Sequence, residues 1–395
     1  MHRNQTGYLL VLGIVALLVA GVALVGCGGG DETTTTAAPT ATTASGTETT
    51  TAPSSDTTAA PGGTQVTGDK YTFAESNPVA SNQHQMAFSY GKQEMCGLLG
   101  AEFITADANI TPAKQVADIE TFIQQKVDGI SSWTLDQGAA TAVYKKAQDA
   151  GINVVTENSP GQYVTTVFIQ EQNVTHKAQK DAAEWFNSVY PNGNILIIGG
   201  EPVPYILYVS KNMQIESKAA GLNILERQDN MQDDAAGSQK IVESLLTKYP
   251  NVDAVWCFND RSALGASAAL RAAGRTIYNA ASPEKGAVMV TGMNGTQEAI
   301  EGVKAGIISA TYSGDSELVG AAEIEELYRI KTGQMSGDQI HKVIVCPYHR
   351  IDGTNVSEAV MPLENPIQLN ILDKFLSYST DPATIEDFNQ FVATL

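Results

Sequence analysis

Residues Val252 to Gly265, reading Val-Asp-Ala-Val-Trp-Cys-Phe-Asn-Asp-Arg-Ser-Ala-Leu-Gly, constrain this chain more than any other stretch. The apolar run Ala254–Phe258 stops abruptly at Asn259 and Asp260, and an Ala/Leu helical pattern follows through Leu264, Ala268 and Ala272. A continuous apolar strand predicts burial on both faces, and therefore a parallel sheet. Polar residues at its carboxyl end, just before a helix, stand where open α/β sheets hold their ligands. Taken singly, Asn259 or Asp260 reads first as a helix cap.

The same pattern recurs. Gly129–Trp133 leads to Asp136, Ile152–Thr156 to Glu157-Asn158-Ser159, and Val288–Thr291 to Met293-Asn294-Gly295. Four such clusters are expected to line one cleft with amides and carboxylates. Uncharged amides suit a hydroxyl-rich neutral ligand, because they donate and accept without demanding a counter-charge. Further strand runs at Tyr71–Ala74, Glu102–Ala106, Val167–Ile169, Ile195–Ile198, Leu222–Glu226, Ile308–Thr311 and Lys342–Val345 alternate with helical patterns. Two successive groups of alternating elements predict an α/β chain of two doubly wound, Rossmann-like parallel-sheet lobes.

The front of the chain is not part of that fold. Arg3 opens a short basic region, and Tyr8 to Val25 is almost wholly apolar. Small residues before Cys27 mark residues 1–26 as a signal peptide. Leu24-Val25-Gly26-Cys27 resembles the bacterial lipoprotein signal, in which the Cys becomes the lipidated first residue. Residues 27–68 form a Thr/Ala/Pro/Gly-rich tract with almost no large apolar side chains, expected to be a disordered tether.

The net charge of −19 argues against nucleic acid as a partner. Cys96, Cys257 and Cys346 are too few for a disulfide framework. The histidines, His2, His84, His176, His341 and His349, lack metal-ligand spacing, so neither a metal nor a cofactor is expected. There is no Gly-x-Ser-x-Gly elbow, Walker loop or His-Glu-x-x-His, which points away from an enzyme. An exported hydrolase built on Asp/Glu acid–base pairs remains the catalytic alternative.

From Tyr71 to Val345 the chain resembles type I periplasmic solute-binding proteins of the ribose-binding kind, the receptor components of ABC importers. Val127-Asp128-Gly129-Ile130, Ala147 to Val155, Phe258-Asn259-Asp260 with Ala263-Leu264-Gly265-Ala266, and Gly292-Met293-Asn294-Gly295-Thr296 carry the resemblance. It implies two lobes joined by a three-strand hinge, with crossings near Gln172-Asn173, Ser313-Gly314 and Gly337–His341. The domain expectation is then residues 69–172 with 315–338 in the first lobe and 173–314 with 339–360 in the second. Residues 361–395 form an extension outside the resemblance. The resemblance also implies a small-molecule ligand, sugar or sugar-like, a permease partner, a monomer, and a place at the cell surface or in the periplasm. A receptor feeding a signalling partner shares the same fold.

Carried over position by position, the family's first cleft Asn falls on Asn82, because Gly91 lies nine residues on; Asn77 is the alternative. His84 and Gln85 take the places of two aromatics, and Asn158-Ser159 that of an Asp-Arg pair. No Arg or Lys follows Gly199-Gly200 before Lys211, and Asn294 replaces an Asp. Trp133, Tyr205 and Tyr208 offer flat apolar faces instead. The ligand set expected is therefore Asn82, His84, Gln85, Trp133, Asp136, Asn158, Tyr205, Tyr208, Asn259, Asp260 and Asn294, with the usual arginine forks missing.

Overall fold

The first sheet is assembled from β1 (Thr72–Asn77), β2 (Glu102–Asp107), β3 (Gly129–Ser132), β4 (Asn153–Glu157) and β5 (Thr166–Gln170). Between them run α1 (Gln83–Leu99), α2 (Pro112–Gln125) and α3 (Gln137–Asp149). The computed structural model of the chain describes residues 70–171, 176–200 and 204–379, all within one compact unit, Gln65–Leu395. The signal, the tether, Cys27, the crossing at Gln172-Asn173 and the Tyr205 side chain lie outside the described residues.

The second group comprises α4 (Lys177–Val189), β6 (Asn194–Gly199), α5 (Pro204–Ala219), β7 (Asn223–Asp229), α6 (Ala235–Lys248) and β8 (Ala254–Cys257). It continues through α7 (Asp260–Ala272), β9 (Met289–Asn294), α8 (Gln297–Lys304) and β10 (Ala310–Ser313). The chain then returns through α9 (Ser316–Lys331), β11 (Val343–Cys346), β12 (His349–Asp352) and α10 (Ile371–Ser379). The two six-stranded sheets run β11-β5-β4-β3-β1-β2 and β12-β10-β9-β8-β6-β7. Every pairing is parallel except β10 with β12, so two doubly wound lobes are present.

The division of residues between lobes differs from expectation. Residues 339–360 were assigned to the second lobe, but Val343–Cys346 pairs with Val167–Gln170 in the first sheet. The apolar strand covers the open edge of β5 and buries Ile344, Val345 and Cys346. The last hinge crossing is therefore Pro347-Tyr348, not Gly337–His341. The chain also crosses a fourth time. Val356, Ala359 and Met361 pack on the second lobe's core, whereas Ile367, Ile371 and Leu372 pack on the first lobe's.

Each lobe depends on a close helix crossing. A Cβ on Gly91 of α1 would stand 1.7 Å from the Glu317 carbonyl oxygen on α9, and one on Gly320 would stand 2.2 Å from that of Phe88. In the second lobe a Cβ on Gly265 would stand 2.0 Å from the Ala235 carbonyl oxygen at the start of α6. Gly265 stands in a segment that carried the family resemblance and Gly91 set the spacing that placed Asn82, and the physical demand on all three is backbone contact.

Beside Gly91, Lys92 is fully buried among carboxylates. Its Nζ donates to Glu75 Oε1 at 2.8 Å and to Glu157, and lies 3.4 Å from Glu323 Oε2. Ser89, Thr105 and Ser131 hydroxyls donate to Glu75 and Glu323. Removing one partner of such a group strands the others without water. Lys92→Met is expected to cost about 3–5 kcal/mol, and Gly91→Ala or Gly265→Ala about 1–3 kcal/mol. Urea unfolding checks both; native-like midpoints would contradict these assignments.

Candidate functional site

The strand ends of both sheets meet between the lobes. Gln83, in the first turn of α1, accepts a hydrogen bond from the Glu298 amide of α8 at 3.3 Å, so first-lobe and second-lobe helix starts touch. Beside that contact Asn82 and Gln83 face Asn259, Asp260, Arg261, Leu264, Asn294, Thr296 and Glu298 across a gap of about 20 Å3. That is room for a water. Admission of anything larger requires the lobes to part.

Local chemistry explains why these residues stand where they do. Asn82 caps α1, its side chain accepting from the His84 amide at 2.9 Å. Asn259 caps α7 by accepting from the Ser262 amide at 2.9 Å, and its Nδ2 donates to Asp233. An N-cap needs extended backbone and a short polar side chain, which is why an Asn precedes each of these two helices. Asn259 is thus a helix cap that also borders the gap. Asn294 ends β9 with φ 120 and presents its amide at the gap.

Asp260 is buried, and both its oxygens are engaged. Oδ1 accepts from Thr311 Oγ1 at 2.6 Å; Oδ2 accepts from the Thr296 amide at 2.8 Å and hydroxyl at 3.0 Å. Burial pushes its pKa up to about 7, and the threonine hydrogen bonds only partly oppose this. Rather than reaching freely into the gap, Asp260 fastens α7 to the loop that carries Asn294.

A second polar chain runs nearer the hinge. Asn158 and Gln170 bond reciprocally, Gln170 Nε2 donates to Ser316 Oγ at 3.3 Å, and Ser316 meets His84 Nδ1 at 3.1 Å. His84 keeps part of its surface accessible, yet the protein around the ring pushes its pKa down to about 4. It is a neutral imidazole at neutral pH, set edge-on to Phe88.

Four expected ligand residues, Asn82, Asn259, Asp260 and Asn294, line the gap together. His84 and Asn158 join the neighbouring chain. Gln85 is buried in α1, and half-buried Trp133 follows β3 directly, its carbonyl accepting from Gln115. Asp136 is exposed and caps α3 through the Ala139 amide, so it belongs to its own helix. Tyr208 packs against Val167, Ile169 and Val345, and its hydroxyl meets His176 Nε2 at 2.7 Å, on the sheet edge and not at the gap. The helical phase of α5, which begins at Pro204, turns Tyr208 there. Gln83, Arg261, Thr296 and Glu298 were not foreseen. Each lies within a residue or two of a cap, which is the only signal the sequence carried for them. Arg261 shows that a guanidinium does stand at the gap, though not where the family pattern has one.

The periplasmic binding protein domain matches residues 73–335. The chain belongs to the periplasmic binding protein family. The ribose import binding protein of Bacillus subtilis is 25% identical over 280 residues, covering 70% of this chain and 86% of that protein. A putative rhizopine-binding protein of Rhizobium meliloti is 24% identical over 267 residues, covering 66% and 82%. In fold, this periplasmic binding protein is similar to a Bacillus halodurans ABC transporter solute-binding protein with bound myo-inositol. There the TM-score is 0.61 and the identity 24%, with 73% and 96% of the two chains covered. An Actinobacillus succinogenes solute-binding protein with bound D-allose gives a TM-score of 0.63 and 20% identity, covering 73% and 100%.

Three buried carboxyls give this periplasmic binding protein a pH signature. Burial raises Asp260 and Glu317 to about 7 and Glu326 to about 8. Unfolded carboxylates titrate near pH 4. The folded state thus holds these protons more tightly, and the stability they contribute is complete below about pH 4 and is lost as pH rises through 7 to 8. The urea midpoint is expected to fall between pH 5.5 and 8.5, and Asp260→Asn with Glu326→Gln to flatten the slope. A midpoint that rises over this range would contradict the assignment.

Proposed function

We propose that this periplasmic binding protein captures a neutral, hydroxyl-rich small molecule, a sugar or polyol, by closing its lobes on it. The carrying observation is the gap itself, where Asn82 and Gln83 of one lobe face Asn259, Arg261, Asn294 and Glu298 of the other. Among the described residues, Arg261 has no ion pair, and the Glu298 carboxylate has none either. An anion would suit the first and oppose the second; an ammonium group would do the reverse. Hydroxyl groups serve both, accepting from the guanidinium and donating to the carboxylate.

Polar groups from both lobes reach one ligand only in the closed form, so the ligand's differential affinity shifts the population toward it. The names of the relatives, ribose import and rhizopine binding, and the inositol and allose in similar folds support a polyol ligand and a non-catalytic role. On this reading residues 1–26 direct export, Cys27 carries the lipid anchor, and residues 27–68 tether a monomeric body outside the cytoplasm. The loaded protein then delivers its ligand to an ABC permease. His84, Asn158 and Trp133 line the approach from the first lobe.

Thermal-shift screening of the full-length protein against sugars, polyols, sugar acids and amino sugars is expected to single out neutral members. Asn294→Gly keeps the left-handed backbone and removes the amide. It is expected to weaken the best ligand ten- to a hundredfold, about 1.4–3 kcal/mol, and to leave the unliganded melting point unchanged. Asn259→Ala is expected to lower both, since it also removes a cap worth about 1 kcal/mol. Turnover of chromogenic substrates with no binder found would overturn the reading.

A further inference from the structure

The fourth crossing ends in a fastening at the hinge. Between Met361 on the second lobe and Asn365 on the first there are four residue steps, a reach of roughly 14 Å at full extension. Asn365 is held firmly. Its Nδ2 donates to Glu317 Oε1 at 2.7 Å, and its carbonyl accepts from Tyr90 Oη at 3.2 Å. Beyond it the amides of Asn370 and Leu372 donate to the Glu325 carboxylate at 2.8 and 2.9 Å. Arg329 pairs with Asp373, Leu372 and Phe375 are buried, and Ser379 bonds to the Val345 backbone in both directions. These contacts clamp α10 to the first lobe.

At its end, α10 reaches back to the second lobe. The Tyr378 hydroxyl donates to Glu171 and accepts from Lys177 Nζ at 3.2 Å. Lys177 is the first residue of α4, in the second lobe, and its Nζ also lies 2.9 Å from Glu171 and 5.5 Å from the Tyr378 ring centroid. Glu171 follows β5 directly and accepts from the Tyr348 amide of the last crossing at 3.0 Å. One buried carboxylate thus joins the first-lobe strand end, the last crossing, the second-lobe helix start and the C-terminal helix. Tyr348 in turn fills the space against Gly314 of the middle crossing, where an added Cβ would lie 2.2 Å from its ring.

We propose that residues 361–379 are a strap that limits lobe opening, with Tyr378 as the positioning residue that fastens it across the hinge to Lys177 and Glu171. The inference rests on the lobe-closure reading above. Opening moves α4 away from α10, which breaks the Tyr378–Lys177 contact and draws the Met361–Asn365 link taut. The strap therefore favours the closed arrangement in which Gln83 meets Glu298 and slows release of whatever the cleft holds. Tyr378 touches no gap residue, so its action on binding is through lobe position alone.

Two spin labels test this in the full-length protein, placed by Thr121→Cys on exposed α2 and Lys240→Cys on exposed α6. Tyr378→Phe is expected to broaden the ligand-free interlobe distances toward longer values. With the best ligand of the thermal-shift screen, its release rate is expected to rise roughly ten- to a hundredfold, the size of one hydrogen bond to a charged group. Lys177→Gln, at a half-exposed position that cannot disturb the core, is expected to act in the same direction, and Lys177→Arg to restore near-native distances. Unchanged distances in both Tyr378→Phe and Lys177→Gln would overturn the strap. Distances that lengthen in the variants while no ligand shortens them in the parent would uphold the strap and sink the closure reading instead.

Discussion

Lys92 is the group around which the first lobe is arranged. A buried ammonium is tolerated only where carboxylates and hydroxyls replace its water, and here they arrive from four elements. Glu75 comes from β1, Glu157 from the end of β4, Glu323 from α9 and Ser131 from β3. Burial opposes its charge, yet the neighbouring carboxylates hold its pKa above the ordinary lysine value. The excess of acid over base is absorbed by Glu323, whose carboxyl burial and Glu157 push well up. Because Lys92 follows Gly91, the same turn of α1 sets both the ion cluster and the backbone contact with α9. That turn orients Asn82, Gln83 and His84 at the helix start, which are the first lobe's contribution to the gap.

The second lobe reaches the same end by different chemistry. Its core, under Trp256 and the strands beside it, is apolar. A buried carboxylate at its cleft edge, Asp260, is satisfied by threonines from β10 and the β9–α8 loop. Gly265 lets α6 approach α7 until backbone meets side-chain position, just as Gly91 does for α1 and α9. Two unlike cores thereby present two like surfaces, each a row of strand ends finished by a capping amide.

Much of this was legible in the sequence because burial on both faces leaves long apolar runs. Ala254–Cys257, Gly129–Ser132 and Gln297–Lys304 stand within a residue or so of where periodicity puts them. Asn259 and Asn294 were legible because each stands where an apolar strand gives way to polar residues, whereas Asn82 was legible only through the family resemblance and the spacing to Gly91. What was not legible depends on contacts between distant segments. Helix α1 hides its pattern because Gln85 and Lys92, both buried, read as polar. The run Val343–Cys346 announces a strand but not the sheet it joins, which the open edge of β5 decides. The strand His349–Asp352 has only two buried residues and pairs antiparallel, so no periodicity marks it. Arg261 and Glu298 look like ordinary helix-surface charges until the lobes are brought together.

One hydroxyl-rich ligand held by both lobes at the gap between Asn82 and Asn259 should be visible in a crystal structure of the full-length protein with its best polyol or sugar. That structure is expected to show one ligand molecule enclosed between the lobes, with hydrogen bonds to Asn82 or Gln83 from one side and to Asn259, Arg261 or Asn294 from the other. A ligand seated on a single lobe, or bound away from these residues with the gap unchanged, would contradict the lobe-closure reading.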